Sequence, residues 1–129
     1  MATELLTALP PEIEQARELI KSRLRWHTRF VYGYSMPWHQ QVWCEALEDF
    51  SIKRLLIIAP PKYGKSPAVC DYLSWRIGND PEGYHCIYVS NTARQADKYS
   101  VSIRDTVAFN ENYRFLYGLQ PDMNKGWGE

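Results

Sequence analysis

The sequence predicts an α/β fold in which a parallel sheet is flanked by helices, with a helical segment in front of it. Three observations predict this. Two short runs rich in apolar and β-forming residues, Arg54 to Ala59 and His85 to Ser90, read as strands. Each is followed by a stretch with helical spacing of its apolar residues. The stretch between them closes in a turn, Asp80-Pro81-Glu82-Gly83, so the chain returns for a second strand parallel to the first by a right-handed crossover.

Taken in order, Pro10-Pro11-Glu12 opens a helix, because proline is tolerated in a first turn whose N–H groups lack partners anyway. Ile13, Ala16, Leu19, Ile20 and Leu24 recur at helical spacing and carry that helix to about Arg25. Trp26 to Met36 reads as aromatic and irregular, broken at Gly33. Ser35 is placed to cap a second helix, with Pro37 in its first turn, running to about Glu48. Arg54 to Ala59 is a strand buried on both faces. A loop through Pro60, Pro61 and Gly64 leads to a helix from about Lys65 to Ile77, stopped by Gly78. After the second strand, Thr92-Ala93-Arg94-Gln95 forms a capping box for a helix reaching about Phe109. Asn110 to Gly118 adds a short helical piece, and Gln120 to Glu129 is polar. Two strands do not make a stable parallel sheet. The expected sheet is therefore incomplete, with a helical segment over 1–50 and the first half of a core over 51–129.

Composition narrows the class. Of 129 residues, 45% are hydrophobic and 23% charged, as in soluble globular proteins. Fifteen basic residues balance fifteen acidic ones, so any contact with nucleic acid has to come from a local patch. Met1-Ala2-Thr3-Glu4 lacks the basic start of a secretory signal, and Leu55 to Ala59 is too short to span a bilayer. Cys44, Cys70 and Cys86 are odd in number and widely spaced. They suggest neither a disulfide framework nor a zinc site, and a reduced compartment is the simplest expectation.

The sharpest motif is Ala59-Pro60-Pro61-Lys62-Tyr63-Gly64-Lys65-Ser66. It follows the phosphate-loop pattern G-x-x-x-x-G-K-S/T except at its first position. Loop N–H groups can bond phosphate oxygens, and the helix behind adds its positive end. Gly64 lets the main chain approach without a Cβ. Lys65 is expected to reach the β- and γ-phosphates, and Ser66 to hold Mg²⁺. A charge pair at about 4 Å is worth about 4 kcal/mol at an effective dielectric near 20. Loss of Lys65 is therefore expected to lower ATP affinity or turnover by orders of magnitude. Pro67 lies in the first helical turn, where it is tolerated.

Paired prolines, a basic residue, an aromatic residue and Gly-Lys-Ser after an apolar run resemble the phosphate loop of phage terminase large subunits, the motor ATPases that package viral DNA. Pro37-Trp38-His39-Gln40 resembles that family's adenine-binding element. Gly78-Asn79-Asp80-Pro81, Ile87 to Ser90, Ala93, Ala96, Arg104-Asp105 and Asn112 to Tyr117 resemble the elements that follow. The resemblance runs from about Met36 to Trp127. It implies a RecA-like P-loop NTPase fold and binding of ATP and Mg²⁺ by Pro61, Lys62, Tyr63, Gly64, Lys65, Ser66, Pro67 and Gln40. It implies catalytic work for Lys65 and for Lys62, which stands where the family has arginine and keeps the charge without the planar fork. Partners implied are double-stranded DNA, a portal, a small terminase subunit and a homo-oligomeric ring, in the host cytoplasm and without a membrane. Missing after Ser90 is the family's apolar strand ending in Asp-Glu, and its nuclease carboxylates are missing too. A fragment or truncated frame is therefore the expectation, with nucleotide binding weak or absent and no hydrolysis above background.

Gln40 or Gln41 can bond a base edge, and Trp38 and Trp43 can flank it or simply pack. His39 reads as a packing or surface histidine. Asn91, Thr92 and Arg94 are candidate DNA contacts at the expected sheet edge. Helix capping by Asn91 or Thr92 explains those two as well. Two other functions compete with the motor. One is an interaction module docking on a full-length ATPase or host partner, and the other is a helicase-like DNA-dependent ATPase.

Overall fold

The structure, a computed structural model, describes residues 10–119. The expectations for Met1 to Glu4 and for Gln120 to Glu129 lie outside these residues. Every regular element among them is a helix: α1 (Pro11–Ser22), α2 (Leu24–Tyr32), α3 (Trp38–Glu48), α4 (Lys65–Asn79), α5 (Ala93–Phe109) and α6 (Glu111–Tyr117). The expected parallel sheet, and with it the RecA-like P-loop NTPase fold, is therefore corrected: the described residues are all-helical.

The two runs expected as strands are present as chain without ladders. Neither 53–60 nor 84–90 forms a strand. A strand exists only where a neighbour about 4.8 Å away takes up its N–H and C=O groups, and these segments have none among the described residues. Their side chains do alternate. Ile57 and Ala59 are half-buried, while Leu56 and Ile58 are 80% and 84% exposed. Tyr88 and Ser90 are half-buried, while Ile87 and Val89 are 92% and 82% exposed. Each run thus rests one side on the helices and leaves the other bare. The expectation that Arg54 to Ala59 is covered on both faces is overturned with the sheet.

Helices α2 and α4 form the centre. Helix α2 packs against α1, α3, α4 and α6, and α4 packs against α2, α3 and α5. Leu24, Met36, Cys44 and Trp75 make one buried cluster from α2, α3, α4 and the loop before α3. Val31, Val107, Tyr113 and Leu116 make a second from α2, α5 and α6. Cys70, Leu73 and Ile103 join α4 to α5, with Tyr84 and Tyr88 laid on them from the extended segment. The packing crosses residue 50, and the Trp75 indole donates to the Lys21 carbonyl at 2.8 Å.

Local chemistry explains the helix limits. The first helix stops earlier than its periodicity suggests, at Arg23, whose backbone is extended. Glu48 at the end of α3 holds the break, accepting from the Leu24 amide at 2.8 Å and pairing with the Arg23 guanidinium at 2.8 Å. Trp26 to Tyr32, expected to be irregular, is helical, and Gly33 ends it in the left-handed region at φ 78°. Ser35 does not cap α3. Its hydroxyl partners Arg29, and Pro37 occupies the cap position. Thr92 and Asn110 do cap, accepting from the Gln95 and Tyr113 amides. Helix α4 runs through Gly78 instead of stopping there, because the glycine serves a contact: a Cβ on it would lie 2.7 Å from the Tyr117 ring.

Under α2 and α4 lies a buried polar network. Tyr117 Oη sits 2.5 Å from His27 Nδ1, and His27 Nε2 sits 3.1 Å from Ser74 Oγ. The Ser74 hydroxyl donates to the Asp71 carbonyl and the Tyr113 hydroxyl to the Ser74 carbonyl, at 2.9 and 2.8 Å. One proton assignment satisfies this chain: Tyr117 donates to a neutral His27, and His27 donates to Ser74. Burial holds His27 down to about 3, in keeping with that neutral form. Beside it Tyr34 and Thr28 donate to the Asp71 carboxylate, whose pKa burial raises to about 6.

Candidate phosphate-binding site

The candidate loop lies between the extended segment and α4. Pro60, Pro61, Lys62 and Tyr63 are exposed, and Gly64, Lys65 and Ser66 are half-buried, so solvent reaches the segment. Lys62 and Gly64 are both left-handed, at φ 66° and 81°. Helix α4 begins at Lys65 with Gly64 as its cap residue and no side chain closing its end. The amides from Lys62 to Ser66 donate no hydrogen bond among the described residues. Unsatisfied N–H groups at a helix start, with the positive end of the helix dipole behind them, form a site for anions.

Lys65 folds back over the loop and donates to the Ala59 carbonyl at 2.6 Å. This bond holds the ammonium within the loop instead of letting it extend into water. It uses one of three donors and leaves two for an oxyanion. Ser66 follows on the first turn, and Pro67 sits where its missing N–H is harmless.

The first turn of α3 meets this loop from the side. His39 Nε2 lies 3.1 Å from the Tyr63 carbonyl, and Gln40 Nε2 lies 3.5 Å from the same oxygen. Pro37, His39, Gln40, Lys62, Tyr63 and Gly64 together line a cavity of about 350 Å³. Gln40 is only 7% exposed, and its Oε1 has no hydrogen-bond partner. Rotating the amide would bring its oxygen against the Tyr63 oxygen, so the unpartnered atom is the carbonyl. That oxygen is itself fully covered, so it meets a ligand only if the side chain turns outward. The Gln40 amide also explains Gly64, because a Cβ there would stand 2.3 Å from Gln40 Nε2. A side chain of α3 is thus what requires this glycine here, a reason different from the expected approach of the main chain to phosphates.

No family model matches the chain, and neither a curated protein nor a solved structure matches it.

The remaining candidates are not drawn in equally. Gln41 turns away, its amide donating to the Met36 carbonyl at 2.8 Å. Trp38 is 77% exposed, with the His39 ring edge-on at 5.7 Å, and Trp43 also meets His39 edge-on at 5.3 Å. Asn91, Thr92 and Arg94 are exposed, and Thr92 is engaged as a helix cap. Among the described residues no three His, Cys, Asp or Glu side chains gather as a metal site. None of their helices is long and apolar enough to cross a membrane. Two clefts of about 390 Å³ lie elsewhere, one lined by Cys86, Tyr88 and Asp97, the other by Lys21, Trp75 and Arg76. Neither combines free amides with an unpartnered polar atom. Sequence reasoning passed over His39 as a site residue. Its signal was only its place beside Gln40, because its partner is a main-chain carbonyl that no side-chain pattern reveals.

Proposed function

We propose that the loop from Ala59 to Ser66 binds the phosphates of a nucleoside triphosphate, and that the chain serves as the ATP-binding part of a viral DNA-packaging motor of the terminase kind. The observation that carries this reading is the row of acceptor-free amides from Lys62 to Ser66 at the head of α4, facing no competing side-chain cap. Lys65 is the counter-charge for the phosphates. Lys62 carries a second positive charge at the exposed rim, and Tyr63, Pro61 and Pro67 shape the loop. Mg²⁺ held with the help of the Ser66 hydroxyl would neutralise phosphate charge. Gln40 is the base-side contact. Asn91 and Arg94 are offered to DNA phosphates, and a portal, a small terminase subunit and further copies in a ring are the proposed partners.

Isothermal titration of the whole chain with Mg·ATP tests the reading. Binding should weaken by at least about tenfold in Lys65→Ala, since one charge-assisted contact is worth at least 1.4 kcal/mol. Binding that ignores this substitution, or no binding at all, would refute it.

A second reading, an interaction module, is favoured by the bare side chains of Leu56, Ile58, Ile87 and Val89. Large apolar side chains left bare along two extended segments are candidates for an association surface. On that reading, light scattering after size exclusion finds complexes that Ile58→Lys and Ile87→Lys dissolve. A monomer at all concentrations tested, alone and with a terminase motor, would count against it.

A further inference from the structure

We infer that His39 is a positioning residue of the phosphate loop, acting through the Tyr63–Gly64 peptide. The inference rests on the phosphate-binding reading above. No peptide bond among the described residues is cis, so the Tyr63 carbonyl and the Gly64 N–H point in opposite directions from one plane. His39 Nε2 holds that carbonyl at 3.1 Å, and Gln40 Nε2 reaches it at 3.5 Å from the same helical turn. Pinning the oxygen toward α3 turns the Gly64 amide to the opposite side, where it finds no acceptor. A flip of this plane would carry the amide toward α3 and withdraw one donor from the ligand. Such a flip is a ready alternative for glycine, whose backbone moves easily between left- and right-handed regions. The donor on His39 therefore selects one of two orientations.

The geometry also fixes the tautomer. An imidazole nitrogen facing a carbonyl has to carry its hydrogen, so Nε2 is protonated in both the neutral and the charged ring. The His39 ring is held edge-on by Trp38, Trp43 and Tyr63, with centroids 5.3 to 5.7 Å away, so its aim does not depend on the ligand.

Three variants separate this role from plain packing. His39→Gln keeps a donor at the reach of Nε2 and loses the ring. His39→Phe keeps a ring and loses the donor. His39→Ala loses both. Each full-length chain is titrated calorimetrically with tripolyphosphate, which has no base, and with Mg·ATP, and its thermal midpoint is recorded. The expected result is a loss of about tenfold in affinity for both ligands in His39→Phe and His39→Ala, as for one hydrogen bond serving a charged group. His39→Gln should bind as the wild type does. If His39→Phe binds normally and His39→Gln does not, the ring matters and the inference is overturned. If all three variants bind tripolyphosphate like a wild type that binds it well, the phosphate loop stands and the His39 role alone falls. If the wild-type chain binds neither ligand, the phosphate-binding reading fails and the inference with it.

Discussion

Single residues set much of the geometry of the loop. Gly64 stands at φ 81°, where an L side chain is strained, and the site of its missing Cβ is already filled by the Gln40 amide. Both effects oppose alanine. Gly64→Ala should lose about 1–2 kcal/mol of stability from the backbone alone, read as a shift in the urea midpoint. Co-substitution of Gln40 by alanine should return only the part due to the clash. An unchanged midpoint in Gly64→Ala would show that the loop adopts another conformation. Residue-level features were the part of the site most legible beforehand. Gly64, Lys65 and Ser66 are singled out by a motif whose logic is local. The link between Gln40 and Gly64 spans 24 positions, and a linear pattern states only that both are present.

At the scale of elements, legibility followed the range of the interactions that set each boundary. Helix α5 starts where Thr92 caps it and ends at Phe109, and both ends rest on residues within a few positions. The break between α1 and α2 depends on Glu48, which lies a whole helix away, and so it was invisible in the spacing of apolar residues. Gly78 misled for the same reason. Its value is the space it leaves for the Tyr117 ring of α6. Alanine is the better helix former by about 1 kcal/mol, so an exposed Gly78→Ala change would stabilise. Here the ring has to move, and overpacking of this kind typically loses about 1–3 kcal/mol. Chemical denaturation should therefore find Gly78→Ala less stable than the wild type. A gain in stability would mean that α6 does not rest on this glycine. The two extended segments were misread for a complementary reason. Alternation and β-propensity were real, and the side chains do alternate in exposure. Propensity describes a residue's fit to a pleated surface, whereas a sheet also needs neighbouring strands to bond.

For the molecule as a whole, the buried polar network makes a prediction about pH. The folded-state pKa of Asp71 is raised from 3.8 to about 6, so between these values the native state binds a proton the unfolded chain lacks. Its contribution to stability therefore falls as pH rises. The folded-state pKa of His27 is lowered from 6.5 to about 3, so in that window the unfolded chain binds the extra proton. Its contribution rises with pH, is complete above the unfolded value and is lost as pH falls toward 3. From about pH 4 to 6 the two slopes oppose and nearly cancel. Asp71→Asn removes one of them. Relative to the wild type, its stability should climb by about 1.4 kcal/mol per pH unit across that window. A stability difference that stays constant with pH would show that Asp71 is not buried as described. The same network joins α2, α4, α5 and α6, because Tyr32 also reaches Ser74 and Thr106. It fixes how the helices sit beneath the loop that α4 presents.

The central claim is that free amides at the head of α4 receive phosphate oxygens. Amide-resolved NMR during titration with Mg·ATP tests it most directly. The signals of Lys62, Tyr63, Gly64, Lys65 and Ser66 should shift most, tripolyphosphate should reproduce those shifts, and Lys65→Ala should suppress them. Saturating nucleotide that leaves these five amides unmoved would contradict it.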